Sequence, residues 1–398
     1  MSKTEQSDYR LLLSGDLHVG RSSSNAAWER LVQLAITERV NAVLLAGDLV
    51  DEENPYWESL GAFEDGLQLL ADNGIKSIAV AGGHDLELLG RLTNQLTWLG
   101  AGEKWERITL ETERGPVLHV DGWSPGSRSV EKSPLDDYEN SSTDMPVLGL
   151  LHGNWEPAAS VAWLMGGAHQ PVLEEEDPWV LCPGSPQAMG PVEAGVHGPW
   201  IAEIRNGKIG LPTQKPLSSV WYETAEIDAT GIVAEEDLRS EIKDALQIHG
   251  ERIVGEAGAV LEQIVMHLRI RGQSNLAGEV SETLEQIERD FRMHLGTVTM
   301  TVDQARSELL PDIDLEKHAG QNSILGTVAS LLLELDRDQR SEAVEELIEE
   351  TRQELAQVGA RPSFIGLPSH SMGVDEVVDH LRRTGRDLLV QLLKQNHA

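Results

Sequence analysis

Cysteine is almost absent from this chain of 398 residues. Its one cysteine, Cys182, excludes an intrachain disulfide and a cysteine-based zinc cluster. A single cysteine fits a reducing compartment, so we expect a cytoplasmic protein.

Long hydrophobic runs are lacking too. Stretches such as residues 331–333 are far too short to cross a bilayer, and the polar residues 1–6 lack the apolar core of a signal peptide. We therefore expect no membrane association.

Basic residues are scarce, with 32 Lys and Arg against 66 Asp and Glu and a formal net charge of −34. This balance argues against a generally basic nucleic-acid coat and against a binder of anionic membranes. It does not exclude a local phosphate site, because metal ions can supply the positive charge. A hydrophobic content of 40% and a charged content of 25% are typical of globular proteins. The length predicts two or three domains.

Strands alternate with helices in the first half of the chain. Because ligands of open α/β sheets bind beyond the carboxyl ends of the strands, the polar residues that follow each strand are the candidates for a site. The apolar runs predict strands at residues 11–13, 42–46, 78–81 and 147–151, with helices at about 25–38 and 56–72.

The rest of the chain indicates further domains. We interpret residues 121–145 as a surface loop and 212–219 as a linker. Later alternating and amphipathic segments predict strands at 264–270 and 297–302, and helices at 235–248, 280–291, 323–335, 341–358 and 374–395. We expect three domains, at residues 1–215, 216–305 and 306–398.

Four polar motifs follow the four predicted strands, and a fifth comes later in the chain. They are Asp16-x-His18, Gly47-Asp48-x-x-Asp51, Gly83-His84-Asp85, His152 and Gly167-x-His169. Each motif alone is weak evidence, since Gly-Asp is a common turn. In this order they resemble the calcineurin-like metallophosphoesterases.

A later motif narrows this resemblance. Cys182-Pro-Gly-Ser-Pro-Gln187, followed by Glu193, is similar to the SbcD-type nucleases of DNA double-strand-break repair. The resemblance implies an α/β fold, with a layered αββα metallophosphoesterase sandwich, then a small α/β capping domain and a helical C-terminal tail. Apart from the resemblance, Pro183-Gly184-Ser185 is most simply a turn, and Cys182 a small buried residue.

The residue types suit phosphodiester hydrolysis. Two divalent ions about 3.5–4 Å apart can neutralise the phosphate and activate a water molecule. Mixed Asp and His ligands suit manganese, iron or zinc, and we expect manganese. The resemblance implies that Asp48 bridges the ions and that Asp16, His18 and His169 complete the first site. It also implies that His152 serves the second site and that His84 assists the leaving group as a catalytic residue beside Asp48.

Two positions depart from the family pattern. Gly83 stands where the family has asparagine, and Gly167 stands where it has histidine; both missing groups are ligands of the second metal. Two hypotheses follow. The protein is a metal-dependent DNA exonuclease, or it is a weakened or inactive subunit that acts as a scaffold for DNA or an ATPase. A phosphatase of small molecules is a third hypothesis, which the long C-terminal regions disfavour.

The predicted last helix has an apolar stripe, and its polar face carries Arg382, Arg383, Arg386 and Lys394. This helix either packs on its own domain or, as the resemblance implies, docks on the coiled coil of an SMC-like (SbcC-type) ATPase. DNA is the expected substrate, and a homodimer is a further expectation from the resemblance.

Several other side chains have simpler explanations. His119 lies in an apolar run and is expected to pack there, and His197 follows Glu193 in a loop. Core packing is the first interpretation of four tryptophans near the predicted site, and stacking on a base is the alternative. These are Trp155, Trp163, Trp179 and Trp200.

Overall fold

Three parallel strands joined by two crossover helices begin the fold. The computed structural model describes residues 9–21, 24–51, 56–87, 95–127, 132–139, 145–157, 161–337, 339–359 and 373–396. The first elements are β1 (Tyr9–Ser14), α1 (Ser24–Thr37), β2 (Ala42–Ala46), α2 (Tyr56–Asp72) and β3 (Lys76–Val80). They confirm the first three predicted strands and both predicted helices. Residues 1–6, on which the leader expectation rests, lie outside the described residues.

The other strands and helices follow in chain order. The strands are β4 (Thr97–Trp98), β5 (Glu106–Thr112), β6 (Gly115–Gly122), β7 (Val147–His152), β8 (Ala162–Gly166), β9 (Val172–Glu174), β10 (Val180–Cys182), β11 (Trp200–Arg205), β12 (Lys208–Ile209), β13 (Thr213–Gln214), β14 (Val220–Asp228), β15 (Gln263–Arg271), β16 (Arg292–Leu295) and β17 (Val298–Ser307). The helices are α3 (Glu235–Ala257), α4 (Val280–Asp290), α5 (Leu315–Ala319), α6 (Ile324–Leu335), α7 (Glu342–Gly359) and α8 (Val374–Asn396).

Two sheets form the layered core. The first has the order β12-β11-β1-β2-β3-β4, with β13 also paired to β11, and the second has the order β5-β6-β7-β8-β10-β9. Strand β1 shows how they stack, because successive side chains of a strand point to opposite faces. Leu12 packs with the helix α1 and α2 side chains, whereas Leu11 and Leu13 pack with residues of the second sheet. The predicted layered α/β fold is confirmed.

The outer face of the second sheet carries an aromatic cluster. Trp163 is fully buried and contacts Trp105 and Tyr138, with ring centroids 5.9 and 5.1 Å away. Nearby, Arg107 forms a bidentate pair with the buried Asp121, at 2.6 and 2.7 Å. The prediction of a loop at residues 121–145 is therefore wrong for its first residues. Asp121 belongs to β6, and its carboxylate is buried because Arg107 compensates its charge.

The interpretation of residues 212–219 as a linker is also wrong. Thr213–Gln214 forms β13, which pairs with β11, and Leu217 is only 3% exposed. Ser219 is also buried, and its backbone N–H lies 3.2 Å from the side-chain oxygen of Gln187. The segment looked like a linker because it is rich in Pro and Ser, yet Pro212, Ser218 and Ser219 are buried.

The last part of the chain has a third sheet, with the order β14-β15-β17-β16, and the C-terminal helices. Contacts divide the chain into two units. One comprises Met1–Thr224, Ile248–His267 and Arg292–Asp303, and the other Ala225–Gln247, Leu268–Phe291 and Gln304–Ala398. The domain boundaries predicted at residues 215 and 305 stay predictions.

The C-terminal helices share one apolar core. Leu332 of α6, Ile348 of α7, and Val377, Val378 and Leu389 of α8 are buried in it. Part of the apolar stripe of the last helix is therefore used within its own unit. Among the described residues, no helix is long and apolar enough to cross a membrane.

Candidate metal centre

The loop after β1 places Asp16 and His18 under backbone strain. The N–H of Asp16 donates to the carbonyl of Gly47 at 2.9 Å, and the N–H of His18 donates to the carbonyl of Asp48 at 3.0 Å. Asp16 and His18 have φ values of 49° and 43°, and Asp48 has 50°. Six non-glycine residues in the described part of the chain have positive φ, so half of them lie here. Strained backbone at a cluster of polar side chains is typical of functional sites.

Glycine allows the loops after β2 and β3 to approach each other closely. A Cβ atom at Gly82 would lie 2.2 Å from Oδ1 of Asp48, which no side chain could accept. The short 3-10 turn that follows directs the N–H of His84 to the same oxygen at 3.1 Å. The imidazole of His84 packs edge-on against that of His18, with centroids 5.4 Å apart. The structure thus brings Asp48 and His84 together.

Asp85 forms hydrogen bonds to both the loop after β2 and the loop after β3. It is fully buried, and its carboxylate accepts N–H groups from Leu49 at 2.8 Å and from Gly82 at 2.9 Å. Because these donors belong to different loops, one side chain holds the Asp48 loop against the His84 turn. Burial raises the pKa of Asp85 to about 6, although the two N–H groups oppose this.

His169 is oriented by a buried carboxylate. Its Nδ1 lies 2.8 Å from Oε1 of Glu193, which is 6% exposed. The other carboxylate oxygen of Glu193 accepts the hydroxyl of Ser185 at 3.0 Å and the N–H of Met189 at 2.8 Å. Nδ1 of His169 therefore donates, which turns Nε2 toward Nε2 of His18, 3.2 Å away. Carboxylates that orient ligating histidines in this way are common around metals.

His152, at the end of β7, connects the second sheet to the first beside Asp48. Its Nδ1 donates to the carbonyl of Ala46, at the end of β2, over 2.8 Å. Its Nε2 faces Oδ2 of Asp48 at 3.4 Å. Burial alone would lower the pKa of His152, but the hydrogen bond and charge of Asp48 raise it to about 9. Metal binding at this nitrogen would therefore release a proton.

Two groups of side chains offer atoms close enough to share a metal ion. Asp16, His18 and His169 form one group, and Asp16, Asp48 and His152 form the other; within each, the offered atoms lie within 4.8 Å of one another. Asp16 is common to both groups. The second group has three candidate donors where the sequence indicated two. Carboxylate and imidazole donors together fit a divalent transition metal.

Burial sets the protonation of this cluster. It raises the pKa of Asp16 to about 6, although His152 and the N–H of Gly167 oppose the shift. It lowers the pKa of His18 to about 4, so His18 is neutral at pH 7, the form that binds metals. Burial alone would raise the pKa of Asp48 as well, but the hydrogen bond and charge of His152 hold that pKa well below its usual range.

The two glycines that depart from the family pattern differ in their surroundings. Nothing lies within 4 Å of a Cβ atom built at Gly83. Gly167 has φ +101°, and its N–H donates to both carboxylate oxygens of Asp16 at 3.0 and 2.9 Å. Asp85, two residues after Gly83, joins neither candidate group within the described ranges, because backbone N–H groups hold its carboxylate.

The remaining sequence candidates have structural roles. Trp163, Trp179 and Trp200 are at most 9% exposed, which confirms core packing. Trp155 is partly buried, and its indole N–H donates to the carbonyl of His152 at 3.2 Å. His197 is buried, and its Nδ1 donates to the carbonyl of Ser185 at 2.8 Å.

Sequence reasoning missed the role of Glu193. The residue stood in the motif that narrowed the resemblance, but no pattern in the sequence indicated which histidine it contacts. His169 and Glu193 are 24 positions apart.

A family model matches the part of the chain that carries this cluster, residues 9–184, and its description is calcineurin-like phosphoesterase. Residues 9–184 are therefore similar to a calcineurin-like phosphoesterase domain. General phosphoesterase chemistry and divalent metal binding are the properties of this family, and the candidate ligands above are consistent with both.

The chain has low sequence identity to two curated relatives. The chain is 26% identical over 234 residues to the uncharacterized metallophosphoesterase YhaO of Bacillus subtilis, covering 53% of this chain and 56% of that protein. It is 25% identical over 390 residues to the DNA double-strand break repair protein Mre11 of Haloferax volcanii, covering 84% of this chain and 86% of that protein. The chain thus spans little more than half of the first relative.

Among solved structures, a dimetal phosphatase from Danio rerio matches 50% of this chain and 94% of its own length. The identity is 12% and the TM-score is 0.36. This similarity is too low to support a functional comparison.

Proposed function

We propose that this protein is a metal-dependent nuclease that hydrolyses phosphodiester bonds in DNA. The observation that carries the proposal is the convergence of Asp16, His18, Asp48, His152 and His169 at the carboxyl ends of strands from two sheets. General phosphoesterase chemistry comes with the family of the domain, whereas the DNA substrate rests on the Mre11 relatives.

The five side chains would hold the metal, which we propose is manganese. Asp16, His18 and His169 would bind one ion, and Asp16, Asp48 and His152 are the donors available to a second. A divalent cation bound there would supply the positive charge that a phosphodiester requires and would activate a water molecule. Glu193 and the carbonyl of Ala46 keep two of the imidazoles turned inward.

We assign His84 to the reacting phosphate. Its backbone N–H is fixed on Asp48, and Nδ1 of its ring is buried without a hydrogen-bond partner in the described part of the chain. The ring is only partly buried. We therefore propose that the exposed part of the ring donates a proton to the leaving oxygen, which is the role that catalytic histidines take.

A scaffold without catalysis is the second candidate. It is favoured by Gly83 and Gly167, because glycine offers no side-chain ligand at two positions where the family has one. In that case the protein would position DNA or an SMC-like ATPase. Homodimer formation and docking through α8 remain proposals under either function.

The decisive experiment measures hydrolysis of single-stranded DNA and of bis(p-nitrophenyl) phosphate during a manganese titration. If the protein is a nuclease, we expect it to cleave both substrates. This cleavage should depend on manganese and be abolished in Asp48→Ala. Hydrolysis of the small diester without cleavage of any DNA would place the protein among general phosphodiesterases. Bound manganese with neither activity would favour the scaffold.

A further inference from the structure

A cavity lined by basic residues lies at the edge of the first sheet. It has a volume of about 480 Å³, and four of its nine lining residues are Arg10, Arg205, Lys208 and Lys215. Only 32 of the 398 residues of the chain are basic. Four of them in one cavity are therefore a strong local concentration in a protein of net charge −34.

This cavity is separate from the candidate metal centre. Strand β1 pairs with β11 in antiparallel register, with Tyr9 opposite Ile204 and Leu13 opposite Trp200. Arg10 thus lies at the amino end of β1, whereas Asp16 follows its carboxyl end. At about 3.3 Å per residue, the two sites lie on the order of 20 Å apart.

Two carboxylates neutralise only part of the positive charge. Glu38 contacts Arg10 at 2.8 Å and Lys215 at 3.0 Å. Glu203 contacts Arg10 at 3.2 Å and also pairs with Arg205. Both carboxylates are thus already shared between two cations. Lys208 forms no ion pair with any residue in the described part of the chain, so the cluster keeps a net charge of +2 (four cations against two carboxylates).

The strand register places two of these cations directly opposite each other. Arg205 and Lys208 are cross-strand partners in the β11–β12 hairpin. Like charges in this position destabilise a sheet, and Glu203 pairs with only one of the two, Arg205. A local rule broken in this way is typical of a functional site. Both side chains are exposed, so a dissolved ligand can reach them.

We propose that this cavity binds the phosphate group of a nucleotide. A terminal phosphate carries nearly two negative charges at neutral pH, which matches the uncompensated charge of the cluster. Arginine provides a planar fork for phosphate oxygens, and lysine provides a point charge. The proposal does not depend on hydrolysis at the metal centre. A free mononucleotide and the 5′-phosphate end of an oligonucleotide carry the same chemistry.

The test is the binding of AMP, measured by isothermal titration calorimetry in EDTA so that metal-bridged binding is excluded. We expect the double change Arg205→Glu with Lys208→Glu to weaken binding by about tenfold or more. The control is Lys104→Glu with Arg114→Glu, which reverses the same charge at two exposed positions and is expected to retain the affinity within about twofold. Melting curves of both double variants establish that they are folded.

Oligonucleotides with and without a 5′-phosphate identify the source of the phosphate. Preference for AMP supports a free nucleotide, and preference for the 5′-phosphorylated oligonucleotide supports a strand end. The proposal is overturned if AMP and both oligonucleotides fail to bind, or if both double variants bind them equally well. Binding of a glutamate-rich peptide in place of these ligands would likewise overturn it.

Discussion

Nδ1 of His169 lies 2.8 Å from the carboxylate of Glu193, and this contact joins the candidate metal centre to the turn after β10. Ser185, in that turn, donates its hydroxyl to the other oxygen of the same carboxylate. The Pro-Gly-Ser motif, interpreted from sequence as a simple turn, therefore supports a candidate metal ligand indirectly.

Removal of this carboxylate tests its role. We expect Glu193→Ala to weaken manganese binding about 10–100-fold, because the imidazole of His169 loses the group that orients it. Glu193→Gln should restore part of the affinity, since its amide oxygen still accepts the Nδ1 proton. Calorimetric titration with manganese measures both variants.

Glu174→Gln is the matched control, because this carboxylate is exposed and belongs to strand β9. Manganese binding by Glu193→Ala with the affinity of the wild type would show that the contact has only a structural role.

Gly83→Asn restores one missing ligand type. Open space surrounds this position, so we expect the variant to keep the melting temperature of the wild type. We also expect tighter binding of a second manganese ion, because asparagine supplies an amide oxygen at the position where the family resemblance implies a ligand of that ion. Gly83→Ala introduces a side chain without a ligand atom and serves as the control. Equal manganese binding by the two variants would argue that Gly83 does not limit the second ion.

Gly167→His should behave differently. Its φ of +101° is rarely adopted by residues with a side chain, and backbone atoms of Gly153 lie 3.2 Å from the added Cβ. We expect a loss of about 1–3 kcal/mol in the free energy of unfolding, whatever the effect on metal binding. Urea denaturation measures this, and unchanged stability would mean that the loop relaxes without cost.

Strands β1, β2, β3 and β7 were predictable because they are short apolar runs that end at polar residues, whereas the two-sheet arrangement was implied only by the family resemblance. Asp16, Asp48 and His152 were found in this way, since the carboxyl ends of β1, β2 and β7 meet. Asp121 was misplaced because a buried carboxylate can be recognised only with its partner, and Arg107 is 14 positions away. The sharing of Asp16 between both ligand groups depends on side-chain positions that no spacing in the sequence specifies.

Asp85 offers a stability test within the site. We expect Asp85→Asn to lower the free energy of unfolding by about 1–3 kcal/mol, because its amide group cannot accept N–H groups from both loops. Urea denaturation is the measurement, with the exposed Glu87→Gln as the control. Equal stability of the two variants would contradict the role of Asp85 in joining the loops.

Glu223, which is not part of the candidate metal centre, should make the stability of the protein depend on pH. Burial alone would raise its pKa, but hydrogen bonds from Arg252, Trp221 and His249 lower it below its usual value of 4.5. A lowered pKa in the folded state means that the ionised form stabilises the protein above about pH 4.5, and that this contribution is lost as the pH falls further. The difference in urea midpoint between wild type and Glu223→Gln should therefore be larger at pH 7 than at pH 4. The same difference at both pH values would contradict this account.

Anomalous scattering from a manganese-soaked crystal tests the central claim most directly. The account predicts a manganese peak bound by Asp16, His18 and His169, and a second, weaker peak beside Asp48 and His152. A map without manganese at either group, from crystals soaked at millimolar concentration, would contradict it.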